Sequence, residues 1–178
     1  MDDISGTPEH LLQNLADAVR RHLRAVERQV QRVRSATTPA DDEVDSFFFC
    51  VALCCLRADV IAARNHCNRL RDGRRSSPLE NAIEAFDAAV PDLRKVRDLQ
   101  VHAEEYDTRS ARRRHKEIDG PMPIWRAADD DTTVVHVAGY SLDVVDAAGA
   151  ARALADTVQA VLRPSSASAG LDPIRDVT

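Results

Sequence analysis

The sequence is poor in aromatic residues, since Phe, Trp and Tyr make up only 4% of its 178 residues. A core with so few rings must consist mainly of Leu, Val, Ala and Cys, which suits packed helices better than a β-sandwich. The apolar fraction of 44% and the charged fraction of 30% are typical of a globular rather than a disordered protein. We therefore expect a mainly α-helical globular chain.

Long hydrophobic runs are also lacking. The longest apolar run, Phe47 to Leu56, is shorter than the roughly 18 apolar residues that a membrane span needs. The start Met1-Asp2-Asp3 shows no basic segment followed by an apolar one, so we expect no signal peptide. The formal net charge of −5 excludes a chain that is basic throughout and leaves any anion binding to a local patch. We expect a cytoplasmic protein with no membrane partner.

Motifs for common cofactors and metals are absent from the sequence. It contains no phosphate-binding P-loop, dinucleotide fingerprint, nucleophile elbow or zinc-protease motif. Its cysteines share one predicted helix, which cannot arrange its own side chains around a tetrahedral zinc or easily cross-link them. We interpret them as small apolar core residues in a reducing compartment and expect no metal and no cofactor. They are Cys50, Cys54, Cys55 and Cys67.

Helical signals dominate the first part of the chain. Over residues 8–35, apolar residues recur at steps of three and four, which predicts one stripe along a long amphipathic helix. Thr38 and Pro39 predict the start of a second helix over residues 39–71, which Gly73 would stop. Because the middle of this second helix is apolar on all sides, we expect it to be the central helix, covered on several sides.

Two shorter helices are predicted next. Ser77 and Glu80 form a capping box around Pro78, which predicts that the third helix begins there. Pro91 ends or kinks that helix because proline lacks an amide donor, and a fourth helix is predicted over about residues 92–106.

The character of the sequence changes after Tyr106. Short β-prone segments at 124–127 and 133–137 predict a β-hairpin, and residues 140–144 predict a third short strand. An Ala-rich helix is predicted over residues 146–162, with Val145 among its inward-facing residues.

These elements predict a single domain over residues 1–163. Its expected architecture is an antiparallel four- to five-helix bundle with a small β-hairpin, inserted at about residues 121–144, before the last helix. Residues 164–178 are rich in Ser, Ala, Gly and Pro, so we expect a flexible C-terminal tail.

The stretch most informative about chemistry is Arg97-Asp98-Leu99-Gln100-Val101-His102. Asp98 and His102 share a helix face, where the carboxylate can orient the imidazole and favour its protonated form. Arg97 lies about 140° from His102 around the helix, so both reach one ligand only at a helix end or where a second helix or subunit completes the site. An imidazole that exchanges protons and a guanidinium that stabilises phosphate charge are sufficient for RNA cleavage. The other interpretation is a solvated helix face with local ion pairs.

The motif Arg97-Asp98-x-x-x-His102 resembles the signature of HEPN domains, in which an Arg and an adjacent polar residue precede a His. HEPN domains are small antiparallel helical bundles with this motif near the end of a late helix. Many are metal-independent endoribonucleases, often toxins or antiphage effectors, and dimerise so that two motifs line one cleft. The resemblance covers about residues 8–107 and implies that His102 is the acid/base residue, Arg97 binds phosphate and Asp98 orients the site. The sequence departs from the common pattern at two positions. It carries Asp98 where Asn is frequent, and its nearest Tyr after His102 is Tyr106, which lies further beyond the His than the Tyr of some HEPN toxins.

A basic run follows the motif directly. It would hold RNA phosphates beside His102, with binding that weakens as salt rises. The other interpretation is a charged loop that balances the acidic remainder of the chain. The candidate RNA-binding residues are Arg109, Arg112, Arg113, Arg114 and Lys116.

From the resemblance we expect a homodimeric, metal-independent endoribonuclease that acts on RNA as a toxin or antiphage-defence effector. The resemblance also allows a protein antitoxin or a defence partner. The alternative class is a non-catalytic helical interaction module within a defence or regulatory complex, whose amphipathic helices bind a protein partner.

Overall fold

The computed structural model describes residues 7–36, 38–101, 124–128, 133–137 and 140–162. These residues form a mainly helical fold with a small antiparallel sheet before the last helix, which confirms the predicted fold class. The elements are α1 Pro8–Ser35, α2 Pro39–Arg69, α3 Gly73–Ala89, α4 Leu93–Val101, β1 Ile124–Ala128, β2 Thr133–Val137, β3 Tyr140–Asp143 and α5 Val144–Leu162. The predicted tail at 164–178 lies outside the described residues.

Helix α1 has the amphipathic stripe that its sequence predicts. Its buried residues include Leu12, Val19, Val26 and Val33, which are spaced by seven and therefore share one face. The hydroxyl of Thr7 accepts a hydrogen bond from the amide of His10 at 3.4 Å and caps the first turn. The buried face packs against α2 and α5.

Helix α2 is the central helix of the bundle, as predicted. It contacts α1, α3, α4, α5 and strand β1, and Phe49, Leu53 and Leu56 are fully buried in the core. The interpretation of the cysteines as core residues is confirmed for Cys50 and Cys67, which are buried free thiols. Cys54 and Cys55 are only partly buried.

The segment Glu43–Arg69 of α2 is also long and apolar enough to cross a membrane, by length and composition alone. The core helix of a soluble protein passes the same test, and α2 contacts four other helices. The expectation of a chain outside the membrane therefore stays a prediction.

The predicted start of α3 at Ser77 is wrong. Helix α3 begins one turn earlier, at Gly73, so Gly73 does not stop α2 but opens the next helix. The N-cap is Asp72, whose carboxylate Oδ1 accepts a hydrogen bond from the Arg75 amide at 3.2 Å. Pro78 consequently lies inside the helix, where it removes only one backbone hydrogen bond near the start.

We expect Asp72→Ala to lower the free energy of unfolding by about 1 kcal/mol, because it removes the side chain that caps α3. Asp72→Asn is the matched control, since the amide oxygen can accept the same hydrogen bond without the charge. Urea unfolding followed by circular dichroism measures both variants. If Asp72→Ala and Asp72→Asn have the same free energy of unfolding, the side-chain cap contributes nothing to stability.

The sheet has the order β1-β2-β3, with both pairs antiparallel. Strands β1 and β2 form the predicted hairpin, in which Ile124 pairs with Val137, and β3 adds the third strand. Val135 on β2 and Leu142 on β3 are buried, and the sheet contacts α2, α4 and α5.

Helix α5 follows β3 without a loop and packs against α1 and α3. Asp143 accepts hydrogen bonds from the amides of Val145 and Asp146, each at 2.8 Å, and thereby caps the helix. The prediction that Val145 faces inward is wrong, because its side chain is 45% exposed. The helix begins at Val144, which takes the inward position and is fully buried.

Candidate functional site

Two residues of the candidate motif, Arg97 and Asp98, lie on α4. This helix is anchored by Leu93 and Val96, which are buried against the core, and it contacts α2, β2 and β3. Because Arg97 follows Val96 by a rotation of about 100°, it lies at the edge of the buried face. Its side chain is 40% exposed, and that of Asp98 is 38% exposed. Arg97 and Asp98 therefore lie where the core meets the surface.

The Arg97 guanidinium is held by its neighbour. Its Nη2 donates a hydrogen bond to Oδ1 of Asp98, and this bond raises the pKa of Arg97 above its ordinary value. The Nε atom is buried and has no hydrogen-bond partner in the part of the chain that the structure describes. A buried donor without an acceptor costs about 1–3 kcal/mol, which an incoming oxyanion would offset. Arg97 thus carries one N–H donor that no described residue satisfies.

Arg97 lines a cleft between α2, the end of α3 and the start of α4. The volume of this cleft is about 570 Å³, large enough for a nucleotide-sized ligand. Its apolar lining comes from α2, from the turn between α3 and α4 and from the start of α4, whereas its charged lining comes from all three helices. The lining residues are Cys54, Arg57, Ala58, Ile61, Asp87, Val90, Pro91, Leu93, Arg94 and Arg97.

A second arginine, Arg57 on α2, forms a bidentate pair with Asp87 on α3. The hydrogen bond to Asp87 raises the pKa of Arg57 above its ordinary value. The sequence contained one signal for this pair, because Arg57 interrupts the apolar run of α2. It offered no way to find Asp87, which is 30 residues further along the chain.

The charges around the cleft leave a positive excess. Arg94 is 89% exposed, and its Nε lies 3.9 Å from Oδ2 of Asp98. Among the described residues, three arginines, including Arg57 and Arg97, therefore face two carboxylates, of which Asp87 is the second. The site can hold one anionic group with the excess charge, as a phosphate site requires.

The thiol of Cys54 is a poor nucleophile in this cleft. Burial raises the pKa of Cys54 above its ordinary value, although the positive charge of Arg97 opposes the shift. The thiol is therefore protonated at neutral pH, and the thiolate is the nucleophilic form. We therefore do not expect Cys54 to act as a nucleophile in this cleft.

Tyr140 on β3 connects the sheet to α4, the helix that carries Arg97 and Asp98. The ammonium group of Lys95 on α4 lies 4.7 Å from the centroid of the Tyr140 ring on β3. Tyr140 is partly buried and packs against the hydrophobic core.

The remaining predicted site residues lie outside the described residues. His102 is the residue immediately after the last residue of α4, Val101. The basic run follows it, so neither the proton-transfer group nor the RNA-binding residues have a described position. These residues are His102, Arg109, Arg112, Arg113, Arg114 and Lys116.

Another polar pair lies away from the cleft. Nδ1 of His22 on α1 is 2.6 Å from Oδ2 of Asp59 on α2. Asp59 lies about 160° around α2 from Ile61 in the cleft, so the pair joins α1 to α2 on the other side. Among the described residues, no three His, Cys, Asp or Glu side chains cluster as a metal site would need.

No family model, curated protein or solved structure matches the chain.

Proposed function

We propose that the chain is a metal-independent endoribonuclease of the HEPN type that acts as a toxin or antiphage-defence effector. The observation that carries the proposal is Arg97, which lines a cleft with one positive charge in excess among the described residues and whose Nε is buried without a described hydrogen-bond partner. Arg97 and Asp98 lie on a short late helix of an antiparallel bundle, which is the setting that the HEPN resemblance implies. The expected location is the cytoplasm, and no metal or cofactor takes part.

In the proposed reaction, the 2′-hydroxyl oxygen of the RNA attacks the adjacent phosphorus and the bond to the 5′-oxygen breaks. A neutral His102 imidazole accepts the 2′-hydroxyl proton, and a protonated imidazole donates a proton to the leaving 5′-oxygen. Arg97 binds the phosphate oxygens and stabilises the charge that develops on them. The products are a 2′,3′-cyclic phosphate and a 5′-hydroxyl, and the basic run from 109 to 116 binds neighbouring phosphates.

One chain supplies only one motif histidine, whereas this reaction benefits from a base and an acid together. A two-fold homodimer supplies the second His102. Asp98 takes the orienting part that the resemblance implies. Its described ion pairs are with Arg94 and Arg97, so it orients the arginine that binds phosphate.

The test compares purified wild-type protein with His102→Ala on a mixture of cellular RNAs containing a chelator of divalent metals. We expect wild type to produce fragments ending in cyclic phosphate, and His102→Ala to lose this cleavage at least about 100-fold. Circular dichroism confirms that the variant is folded. Cleavage that persists unchanged in folded His102→Ala would contradict the proposed site. Intact RNA with wild type would contradict the ribonuclease function.

A non-catalytic interaction module in a defence or regulatory complex is the second candidate function. It is favoured by the exposed apolar side chains on α2, of which Val44 is 52% and Phe48 is 47% exposed. Exposed apolar patches of this kind mark interaction surfaces. Wild-type protein that leaves RNA intact would favour this second function.

A further inference from the structure

Helix α2 carries a continuous apolar stripe on the face that points away from the core. We call it the α2 stripe, and none of its members is fully buried. Val44, Phe48 and Ala58 are exposed, and the other three are partly exposed. The spacing alternates between four and three residues, which is the spacing of a helix-pairing seam. The members are Val44, Phe48, Val51, Cys55, Ala58 and Ala62.

The α2 stripe is long and narrow. By a step of 100° per residue its members lie within an arc of about 80°, and by a rise of 1.5 Å per residue they extend over roughly 27 Å. The opposite face of α2 carries the buried residues Phe49, Leu53 and Val60. The stripe is therefore a second apolar face of a helix that already has a buried one.

Side-chain size changes along the stripe in a way that suits a second copy of the same helix. The first half carries the larger residues Val44, Phe48 and Val51, and the second half carries only small residues. An antiparallel copy, centred on residue 53, would place Phe48 opposite the partner copy's residue 58, an Ala. The same register places Val44 opposite residue 62 and Val51 opposite residue 55 of the second copy. Large residues then meet small ones throughout, as close packing requires.

The charges of α2 favour the same orientation. Residues 41–45 include four carboxylates, of which Asp45 already pairs with Arg32, whereas residues 64–69 include His66, Arg69 and Arg64, which pairs with Glu80. A parallel pair would bring like charges together, and an antiparallel pair brings opposite charges together at both ends. We infer that the α2 stripe is a self-association surface, on which two copies of this chain pair antiparallel about a two-fold axis that crosses the stripe at the level of residue 53.

Other occupants fit the stripe less well. The segment 107–120 of the same chain has only Ala111 and Ile118 as apolar residues among many charges, too few to cover a stripe of this length. A lipid surface would meet a stripe bordered by charged residues, including Asp45 and Asp59. A second copy satisfies both the size pattern and the charge pattern.

The interface would bring two clefts together. Ala58 belongs both to the α2 stripe and to the cleft that contains Arg97. The two-fold axis runs perpendicular to the plane of the paired helices, so it keeps both clefts on the same face of the dimer. This consequence for catalysis rests on the proposed ribonuclease function, whereas the self-association is measured without RNA.

The first part of the test measures mass by size-exclusion chromatography with light scattering. Wild type is expected to have about twice the 19.6 kDa of one chain, and Phe48→Glu is expected to raise the dissociation constant of the dimer by about 100-fold. Val145→Glu is the matched control, because Val145 is 45% exposed at the start of α5 and is expected to leave the dimer intact. Monomeric wild type, including a monomer that binds vesicles of equimolar phosphatidylcholine and phosphatidylglycerol, would overturn the inference.

The second part tests orientation by disulfide cross-linking in a Cys54→Ala, Cys55→Ala background. Phe48→Cys together with Ala58→Cys is expected to give a covalent dimer under oxidation, because these positions face each other only in the antiparallel register. Phe48→Cys alone is expected to stay uncross-linked, since its two copies would be about 15 Å apart along the helix axis. Cross-linking by Phe48→Cys alone would overturn the inference. A dimeric protein in which Phe48→Cys together with Ala58→Cys gives no cross-link would overturn it as well. A cross-linked dimer that leaves RNA intact would contradict only the ribonuclease function.

Discussion

Arg97→Ala is expected to slow RNA cleavage by at least about 100-fold, because it removes the guanidinium that stabilises charge on the phosphate. Arg97→Lys is expected to lose most of the same activity. Lysine keeps the positive charge but lacks the planar fork and the Nε donor, and in the structure this Nε is buried in the cleft region without a hydrogen-bond partner among the described residues. Single-turnover rates on a short RNA measure both variants, so that the chemical step is separated from product release.

The matched control is Arg94→Ala, which removes the same charge from the same helix. Arg94 is 89% exposed and lies 3.9 Å from Asp98, so we expect it to contribute to RNA association and to change the single-turnover rate less than about tenfold. Equal losses for Arg94→Ala and Arg97→Ala would show that only net charge matters. Full activity of Arg97→Lys would contradict the specific part assigned to the guanidinium.

The largest effect on stability is expected for Leu53→Ala, which should lower the free energy of unfolding by about 3–4 kcal/mol. Leu53 is fully buried in the middle of α2, where it is surrounded by the helices that pack on α2. Removing its side chain loses apolar burial and leaves a cavity that rigid neighbours cannot close. Thermal unfolding should show a decrease in Tm of about 10 °C.

Leu11→Ala is the control for this substitution, because it makes the same chemical change at a leucine that is 41% exposed on α1. We expect a loss below about 1 kcal/mol, since little apolar area leaves the core and Ala favours the helix. Both variants are measured by urea unfolding at several protein concentrations, which separates folding from self-association. Similar losses at the two positions would contradict the central place of α2 in the core.

Local signals in the sequence were sufficient for most of the helices and strands. Helix α1 has the predicted bounds, because one apolar periodicity runs through it and a Thr-Pro start precedes it. The strands were also predicted, at 124–127 for the first, which ends at 128, and at 133–137 for the second, since β-prone residues flank a polar turn. The start of α3 was not, because Asp72 and Ser77 are both good caps and local sequence does not decide between them.

The residues of the candidate site likewise include some that a local pattern identified and some that only helix packing brings together. Arg97 and Asp98 were identified by their spacing to His102 along one helix, which is a local pattern. The pair between Arg57 and Asp87 was not identified, because its residues lie on different helices and meet only when α2 packs against α3. The cleft itself exists only after this packing, so no part of it could be read from periodicity.

The sequence by itself determined the helical class, the position of the small sheet and the placement of Arg97 and Asp98 on a helix, because composition and periodicity act over a few neighbouring residues. Only the tertiary structure decided which apolar face of α2 is buried. Its central segment is apolar on all sides, so its periodicity cannot distinguish Phe49, which is fully buried, from Phe48, which is 47% exposed. The positions of α1, α3, α4 and α5 around α2 make that choice, and they leave the α2 stripe beside the Arg97 cleft.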